Sequence, residues 1–233
     1  RSGSRERAAV PGDDEQEKRA RRRQGEARVE QISVAGETRE AELAEATRHL
    51  SEREVERQHV ALHDARTELS NRRYLIERVE MALSDARRRG ESIALLLIDL
   101  DHFKPINDGH GPDAGDLLPR TLSQRLRDLV RSSDMAARLG GDEFAVLLTG
   151  PNVEQDAAQI AERLLHELSQ PVPYRDVTLA VTISVGAAFF PRHADGFSQL
   201  YKAADEALYR AKHQGRGNWV QQEEQARPAD QPM

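Results

Sequence analysis

Three things are missing from this sequence: cysteine, a long apolar run and an excess of positive charge. Because none of the 233 residues is cysteine, the chain forms no disulfide and no thiolate metal site. No apolar run approaches the roughly 20 residues that a helix needs to span a bilayer. No signal peptide is recognisable, so we expect a cytoplasmic protein with no membrane segment in this chain. The net charge of −6 argues against nucleic acid as a partner.

The apolar residues that are present are unevenly distributed. Residues 1–62 are dense in Arg, Glu and Ala and cannot build a core of their own, whereas the later part of the chain can. We expect residues 1–25 to be disordered or artificially added, and residues 26–62 to form a helical, coiled-coil segment. Residues 63–220 should form one globular domain, and residues 221–233 a disordered tail.

The predicted coiled coil rests on a heptad pattern in residues 26–62, which carry helix-forming residues and no proline. One register places Leu43 and Leu50 at one seam position and Val60 at the other. Six of the ten seam positions are apolar, which is a weak coiled-coil signal. A single solvated helix is the alternative.

Apolar patterns after residue 90 predict a sheet covered by helices. The continuous run IALLLIDL, residues 93–100, is typical of a central buried strand. Residues 135–139 and 144–148 are two short strands around Gly140–Gly141, which predicts a hairpin. Residues 177–190 are interpreted as one long strand or two short ones. The order helix, strand, helix, hairpin, helix, strand, helix predicts an α/β or α+β fold with a mainly antiparallel sheet.

Carboxylates cluster where these strands end. Asp99 lies at the end of the buried strand, Asp101 follows it, and Asp142 and Glu143 lie in the hairpin turn. Oxygen ligands on rigid supports are what hard divalent ions need, and two such ions support phosphoryl or nucleotidyl transfer. The glycines Gly140–Gly141 would let a phosphate approach backbone N–H groups. The alternative is a glycine turn with exposed acids, and composition alone favours that alternative.

Several motifs, in order, resemble the GGDEF domain family, the diguanylate cyclases. They are HDARTELSNRR, LLLIDLDHFKPINDGHG, GPDAGD, RLGGDEF, TISVGAA and ADEALYRAKHQGRGN. The resemblance covers residues 63–220 and implies a mostly antiparallel five-stranded sheet wrapped by helices, related to the palm of polymerases and adenylyl cyclases. It also implies an enzyme that condenses two GTP into cyclic di-GMP and two pyrophosphates, across a homodimer whose active sites face each other. The N-terminal helix resembles the signalling helices that precede such domains and would help to form that dimer.

The resemblance also implies the residues of the active site. Asp99, Asp142 and the backbone carbonyl of Leu100 would hold two Mg²⁺ (or Mn²⁺) ions. Glu143 would bind metal too and would assist deprotonation of the attacking hydroxyl. The remaining positions would bind GTP. Asn107 and Asp116 would bind the guanine, and the triphosphate would be bound by Phe103, Lys104, Gly140, Gly141, Lys212 and Arg216. For the last two residues, a pair of surface cations is the alternative.

An RxxD pattern formed by Arg131 and Asp134 resembles the family's inhibitory site for the product, cyclic di-GMP. Arg pairs with a phosphate or a guanine edge in bidentate fashion, and Asp accepts from guanine. The RxxD pattern is weak evidence by itself, and its assignment to an inhibitory site rests on its position shortly before Gly140. Arg163 is a further candidate for this site.

Four positions depart from the usual pattern of the family: Arg66 stands for Leu, Glu68 for Gly, Pro112 for His and Pro119 for Leu. Glu68 resists a backbone angle that Gly allows. Pro119, close to Asp116, removes a hydrogen bond if it lies inside a helix. Two other functions therefore stay open: a catalytically weak domain that senses cyclic di-GMP, and a dimerisation module whose GGDEF domain is only structural.

Overall fold

The structure, a computed structural model, describes residues 12–223, and the chain divides into two compact units, residues 1–57 and 58–233. The first helix, α1, runs Gly12–Leu62. It therefore begins well before residue 26, inside the range predicted to be disordered. The reason is that residues 13–24 are rich in Glu, Gln, Lys, Ala and Arg, which have high helix propensity. The disorder predicted for residues 1–11 and 224–233 lies outside the described residues. Residues 221–223 were also assigned to the disordered tail, but Gln221 ends a strand and Gln222 is buried.

The apolar side chains of the heptad pattern are exposed on α1. Leu43 is 64% exposed, and Leu50 and Val60 are each 67% exposed. The predicted helix is confirmed, whereas the coiled coil needs a second chain and stays a prediction. Although α1 is long, neither it nor any other helix in residues 12–223 is apolar enough to cross a bilayer.

The second unit is built on a six-stranded sheet with the order β1-β3-β4-β2-β7-β8. Its strands are β1 (Ser70–Asn71), β2 (Ile93–Leu100), β3 (Met135–Gly140), β4 (Glu143–Thr149), β7 (Ile183–Phe190) and β8 (Trp219–Gln221). β2 lies at the centre and pairs antiparallel with β4 and β7, whereas the short edge strands β1 and β8 pair parallel with their neighbours. A separate two-stranded sheet consists of β5 (Val172–Tyr174) and β6 (Val177–Leu179).

Five helices cover or flank the six-stranded sheet. They are α2 (Arg72–Arg89), α3 (Phe103–His110), α4 (Pro112–Leu129), α5 (Val153–Leu168) and α6 (Phe197–His213). The predicted α+β class and mostly antiparallel sheet are confirmed, although the sheet has six strands and not five. Residues 177–190 divide into two strands that belong to different sheets.

β2 organises the core because each of its residues is buried. Leu96 and Ile98 belong to the cluster that includes side chains of α4 and α5, whereas Leu95 and Leu97 pack with those of α2 and α6. This alternation is the two-residue period of a strand. Asp99 continues the second series, so its carboxylate emerges at the end of the strand on the face covered by α2 and α6.

Two prolines lie within α4 without breaking it. Pro112 occupies the first turn, where its missing N–H is not needed. Pro119 lies inside the helix and removes the donor that would bond to the carbonyl of Gly115. The carbonyl of Pro119 itself accepts a hydrogen bond from Ser123 Oγ at 2.6 Å. The helix continues to Leu129, so the predicted disruption is limited to that one hydrogen bond.

Glu68 adopts the left-handed backbone conformation, with φ of +59°, as its departure from Gly predicted. We expect Glu68→Gly to raise the free energy of unfolding by about 1 kcal/mol, because an L residue costs roughly that in this region. Glu68→Ala is the matched control, since it also removes the exposed ion pair with Arg127 but keeps the strain. Thermal unfolding should place the midpoint of the Gly variant about 2–4 °C above that of the Ala variant. Equal midpoints would show that the angle carries no strain.

Candidate active site

Two acidic side chains meet where β2 ends and β4 begins. Asp99 and Glu143 are directly opposite each other in the antiparallel register. Such residues share a face of the sheet, with Cβ atoms about 4.5–5.5 Å apart. The N–H of Leu100 donates to the carbonyl of Asp142 at 3.2 Å, which extends the hydrogen bonding into the hairpin turn. The predicted carboxylates of the two strands therefore lie at one end of the sheet.

Burial and like charge both disfavour the ionised forms of these carboxylates. Burial raises the pKa of Asp99, the charges of Asp142 and Asp101 raise it further, and a hydrogen bond and the charge of Lys212 oppose the rise. Burial likewise raises the pKa of Glu143, with Asp99 and Asp142 adding to the effect. Like charges held together in this way oppose folding, and their presence marks a candidate functional site.

The end of α6 brings two cations to these carboxylates. Lys212 Nζ lies 2.7 Å from Asp99 Oδ2, and both side chains are largely buried. Arg216, in the loop after α6, has its Nε 3.9 Å from Asp101 Oδ1. The two cations predicted to bind the triphosphate are thus gathered at the acidic end of the sheet.

Asp101 differs from Asp99 in its surroundings. Its side chain is fully buried and accepts hydrogen bonds from Thr182 Oγ1 and Ser184 Oγ, both at 2.8 Å. It also accepts from the N–H of Gly217 at 3.0 Å. These bonds join the end of β2 to β7 and to the loop after α6. Asp101 is therefore a structural carboxylate, which the grouping of acids in the sequence did not distinguish from Asp99.

The hairpin turn between β3 and β4 depends on its two glycines for their backbone angles. Gly140 has φ of +147° and Gly141 has φ of +50°, a region that favours glycine. The carbonyl of Gly141 accepts two hydrogen bonds from the Arg138 guanidinium, at 2.8 and 3.2 Å. Arg138 also donates to Asp64 Oδ1 at 3.0 Å. The turn is thus tied to the loop that precedes β1.

Sequence reasoning missed this pairing of Arg138 with Asp64, although an arginine inside a predicted strand was the available signal. Burial alone would raise the pKa of Asp64, but hydrogen bonds from Thr67 and the charge of Arg138 outweigh it and lower that pKa. The carboxylate therefore stabilises the fold at pH values above the ordinary pKa of Asp. This contribution is lost as the pH falls through the lowered pKa of the folded state.

The donor set at the end of the sheet fits a hard divalent cation. Asp99, Asp142 and Glu143 supply oxygen ligands whose mutual repulsion a cation would relieve. Within residues 12–223, no three acidic or histidine side chains are already grouped closely enough to hold a metal ion by themselves. Mg²⁺ is commonly held by one or two carboxylates together with substrate phosphates and water, so these residues meet its requirements.

α3 begins directly beyond this end of the sheet. Its first residue, Phe103, packs against the hydrophobic core, and Lys104 follows. His102, at the N-cap position, forms no hydrogen bond through its side chain to the helix. The first-turn N–H groups predicted to bind phosphate thus receive no cap from His102.

The contact between α3 and α4 brings together the two residues predicted to bind guanine. Gly115 lies so close to Asn107 that an added Cβ would overlap the Asn107 side-chain amide. Asp116 is the next residue of α4, so the amide and the carboxylate border the same region. Arg66, one of the four departures, forms an ion pair with Asp116.

The RxxD residues border a cavity of about 210 Å³ beside α4 and β3. Arg131 Nη1 lies 3.2 Å from Asp156 Oδ2, and Asp134 Oδ1 accepts from the N–H of Thr149 at 3.2 Å. Burial raises the pKa of Asp134, while the hydrogen bond from Thr149 and the charge of Arg131 oppose the rise. Arg163 is exposed on α5 and is not among the described residues that border this cavity. Two of the three predicted residues are thus brought together.

The fold and the site define a class of protein: an α+β domain whose central strand presents acidic residues beside a lysine from the last helix. A family model described as "Diguanylate cyclase, GGDEF domain" matches residues 61–218. The chain belongs to this family, which confirms the resemblance found in its motifs.

Two curated relatives carry the name diguanylate cyclase. TpbB of Pseudomonas aeruginosa is 39% identical over 197 residues, which cover 83% of this chain and 45% of that protein. DosC of Escherichia coli is 41% identical over 165 residues, which cover 70% of this chain and 35% of that protein. The chain spans less than half the length of either relative.

Solved structures give the same assignment. The GGDEF domain of TpbB superposes with a TM-score of 0.67 at 41% identity, covering 69% of this chain and 94% of that one. The coiled coil and GGDEF domain of DgcB from Caulobacter crescentus, solved in complex with cyclic di-GMP, gives 0.74 at 28% identity. That match covers 79% of this chain and 98% of the DgcB chain.

Proposed function

We propose that this chain is a diguanylate cyclase, which condenses two GTP molecules into cyclic di-GMP and releases two pyrophosphates. The observation that carries the proposal is the end of the central strand, where Asp99 faces Glu143 and Lys212 lies 2.7 Å from Asp99. The two relatives named diguanylate cyclases support it. The proposal concerns residues 63–220, since the chain spans only part of those relatives.

The guanine base would lie at the contact between α3 and α4, near Asn107 and Asp116. A carboxylate accepts from both N1–H and the 2-amino group of guanine, a pair of donors that adenine lacks. Lys212 and Arg216 would bind the triphosphate, together with the backbone at the start of α3. The 3′-hydroxyl of each GTP would then attack the α-phosphate of the other, so catalysis depends on placement and electrostatics.

Glu143 would accept the proton of the attacking hydroxyl. Burial and the charges of Asp99 and Asp142 raise its pKa toward the operating pH, which improves a general base. Asp99, Asp142, Glu143 and the carbonyl of Leu100 would hold two Mg²⁺ or Mn²⁺ ions. When bound, these ions supply positive charge that neutralises the phosphates and lowers the pKa of the hydroxyl.

The reaction requires two domains that face each other, and we propose that α1 joins them in a homodimer. Leu43 and Leu50 are exposed at one seam position of its heptad pattern and suit a second copy of the helix. Analytical ultracentrifugation should show a dimer for the parent chain and a monomer for Leu43→Lys combined with Leu50→Lys. A monomeric parent chain would contradict this role of α1.

Incubation of the purified chain with GTP and Mg²⁺ tests the proposed activity directly. We expect cyclic di-GMP with two pyrophosphates per product, and no corresponding product from ATP. Failure to form product would contradict the cyclase. Binding of cyclic di-GMP without turnover would then favour a sensor, which the cavity beside Arg131 and Asp134 supports. If the chain neither turns over GTP nor binds cyclic di-GMP, the remaining interpretation is a dimerisation module.

Arg131→Ala should relieve inhibition by the product. A hydrogen bond to a charged group contributes about 1.5–3 kcal/mol, so the inhibition constant should rise by roughly ten- to a hundredfold. The measurement is the GTP assay repeated with added cyclic di-GMP. Arg163→Ala is the comparison, since its side chain does not border the cavity in the described residues, and should have a smaller effect. An unchanged inhibition constant for Arg131→Ala would remove the RxxD assignment.

A further inference from the structure

Arg66 and Asp116, which lie 50 residues apart, form an ion pair with Arg66 Nη1 2.5 Å from Asp116 Oδ1. We propose that Arg66 is a specificity-determining residue that donates a hydrogen bond to O6 of the guanine base that Asp116 binds. The proposal rests on the proposed function, because it adds a contact to the same nucleotide site. The leucine usual at this position could not make that contact.

The loop before β1 fixes the backbone of Arg66. The N–H of Arg66 donates to Asp64 Oδ1 at 3.2 Å, and the same oxygen accepts from the N–H of Thr67 at 2.9 Å. Arg138 holds this carboxylate from the sheet side at 3.0 Å. The N–H of Asp64 donates to the carbonyl of Leu69 at 2.8 Å, which closes the loop. The Arg66 side chain therefore extends toward α4 from a backbone held at several points.

The ion pair between Arg66 and Asp116 leaves donors and acceptors for a ligand. A guanidinium has five N–H groups, and a carboxylate has about four acceptor positions. The contact described uses one of each. The two side chains are 62% and 45% exposed, so a base can reach them from solvent. Arg66 can therefore keep its bond to Asp116 while it binds a nucleotide.

The remaining groups complement the Watson–Crick edge of guanine. That edge presents the 2-amino and N1–H donors followed by the O6 acceptor. Asp116 offers two acceptors, and Arg66 places donors next to one of them. In adenine an amino group replaces O6, so the guanidinium would face another donor. The pair therefore selects guanine at three adjacent positions, two through Asp116 and one through Arg66.

Equilibrium binding to the full chain tests the role of Arg66, with GTP and 6-thioguanosine triphosphate as probes in the presence of Mg²⁺. Arg66→Leu should weaken GTP binding by about five- to tenfold, the lower part of the range for an arginine contact to guanine. The parent should bind the thio analogue less tightly than GTP, because sulfur is a weak acceptor. Arg66→Leu should bind both probes equally well.

Two further variants control for charge and for folding. Arg66→Lys keeps the charge without the planar fork, so its affinity for GTP should lie between those of the parent and Arg66→Leu. Arg88→Leu removes an exposed arginine from the last turn of α2, and should leave GTP binding unchanged. Thermal unfolding of each variant checks that its fold is retained.

The sign of the change in affinity decides the proposal. Tighter binding of GTP by Arg66→Leu would mean that Arg66 competes with the base for Asp116, and unchanged binding would mean that it makes no contact; either result overturns the assignment. A parent chain that binds GTP but forms no cyclic di-GMP would contradict the cyclase alone. A parent chain that does not bind GTP would overturn both proposals.

Discussion

Replacing Glu143 with Gln is expected to lower the rate of cyclic di-GMP formation by about 10²–10⁴-fold, the usual contribution of a general base. The substitution keeps the length and shape of the side chain but removes the carboxylate that would accept the proton of the hydroxyl. It also removes one of two like charges that face each other between β2 and β4. Turnover should therefore fall without a loss of stability.

The pKa of Glu143 fixes the sign of the effect on stability. Burial, with the charges of Asp99 and Asp142, raises this pKa in the folded chain, so ionisation of Glu143 opposes folding at neutral pH. In EDTA at pH 7, Glu143→Gln should unfold about 2 °C above the parent, if relief of a like-charge pair contributes ~0.5–1 kcal/mol. The difference should disappear below about pH 4, where Glu143 is protonated in both states.

Glu162→Gln is the matched control, because Glu162 is exposed on α5. It should change neither the rate nor the unfolding temperature. A Glu143→Gln variant that turns over GTP at the parent rate would remove Glu143 from the mechanism. An inactive variant that unfolds well below the parent would instead indicate a structural role for this carboxylate.

The parts of the fold that were predictable are those with a strong local pattern. The apolar run at 93–100 and the glycine pair at 140–141 each indicate one local structure, and the structure has β2 and the β3–β4 hairpin there. β1 and β8 contain two and three residues, too few to show any alternation. Their pairing depends on the neighbouring strands, so no local pattern indicated them, and the family resemblance implied five strands where six are present.

The same distinction applies to the site. Asp99 and Glu143 were predictable because each adjoins a recognisable strand end. The hydrogen bonds from Arg138 to Asp64 and from the Gly217 N–H to Asp101 join residues 74 and 116 positions apart, so no local pattern indicates them. Departures from the family pattern mark unusual positions, but they do not show that Arg66 would contact Asp116.

Asp101→Leu should produce the largest loss of stability among these substitutions. The buried carboxylate accepts from two hydroxyls and from the N–H of Gly217. Leucine keeps the branched shape of the aspartate side chain but offers no acceptor. The two hydroxyls can turn away, whereas the backbone N–H of Gly217 cannot. A buried donor left unsatisfied costs about 1–3 kcal/mol, which lowers the unfolding midpoint by roughly 2–10 °C.

The effect of Asp101→Leu should extend to nucleotide binding, because the bond from Gly217 to Asp101 positions the loop that carries Arg216. The substitution would remove the bond from Gly217, which would loosen this loop. It would also remove the negative charge 3.9 Å from Arg216 Nε. We therefore expect weaker GTP binding together with the lower unfolding midpoint.

Thr182→Val is the matched control, since it removes one hydroxyl donor but leaves Asp101 its charge and its bond to the loop. That variant should lose about 1 kcal/mol of stability and keep its affinity for GTP. If both variants bind GTP equally well, Asp101 supports the fold but does not position Arg216.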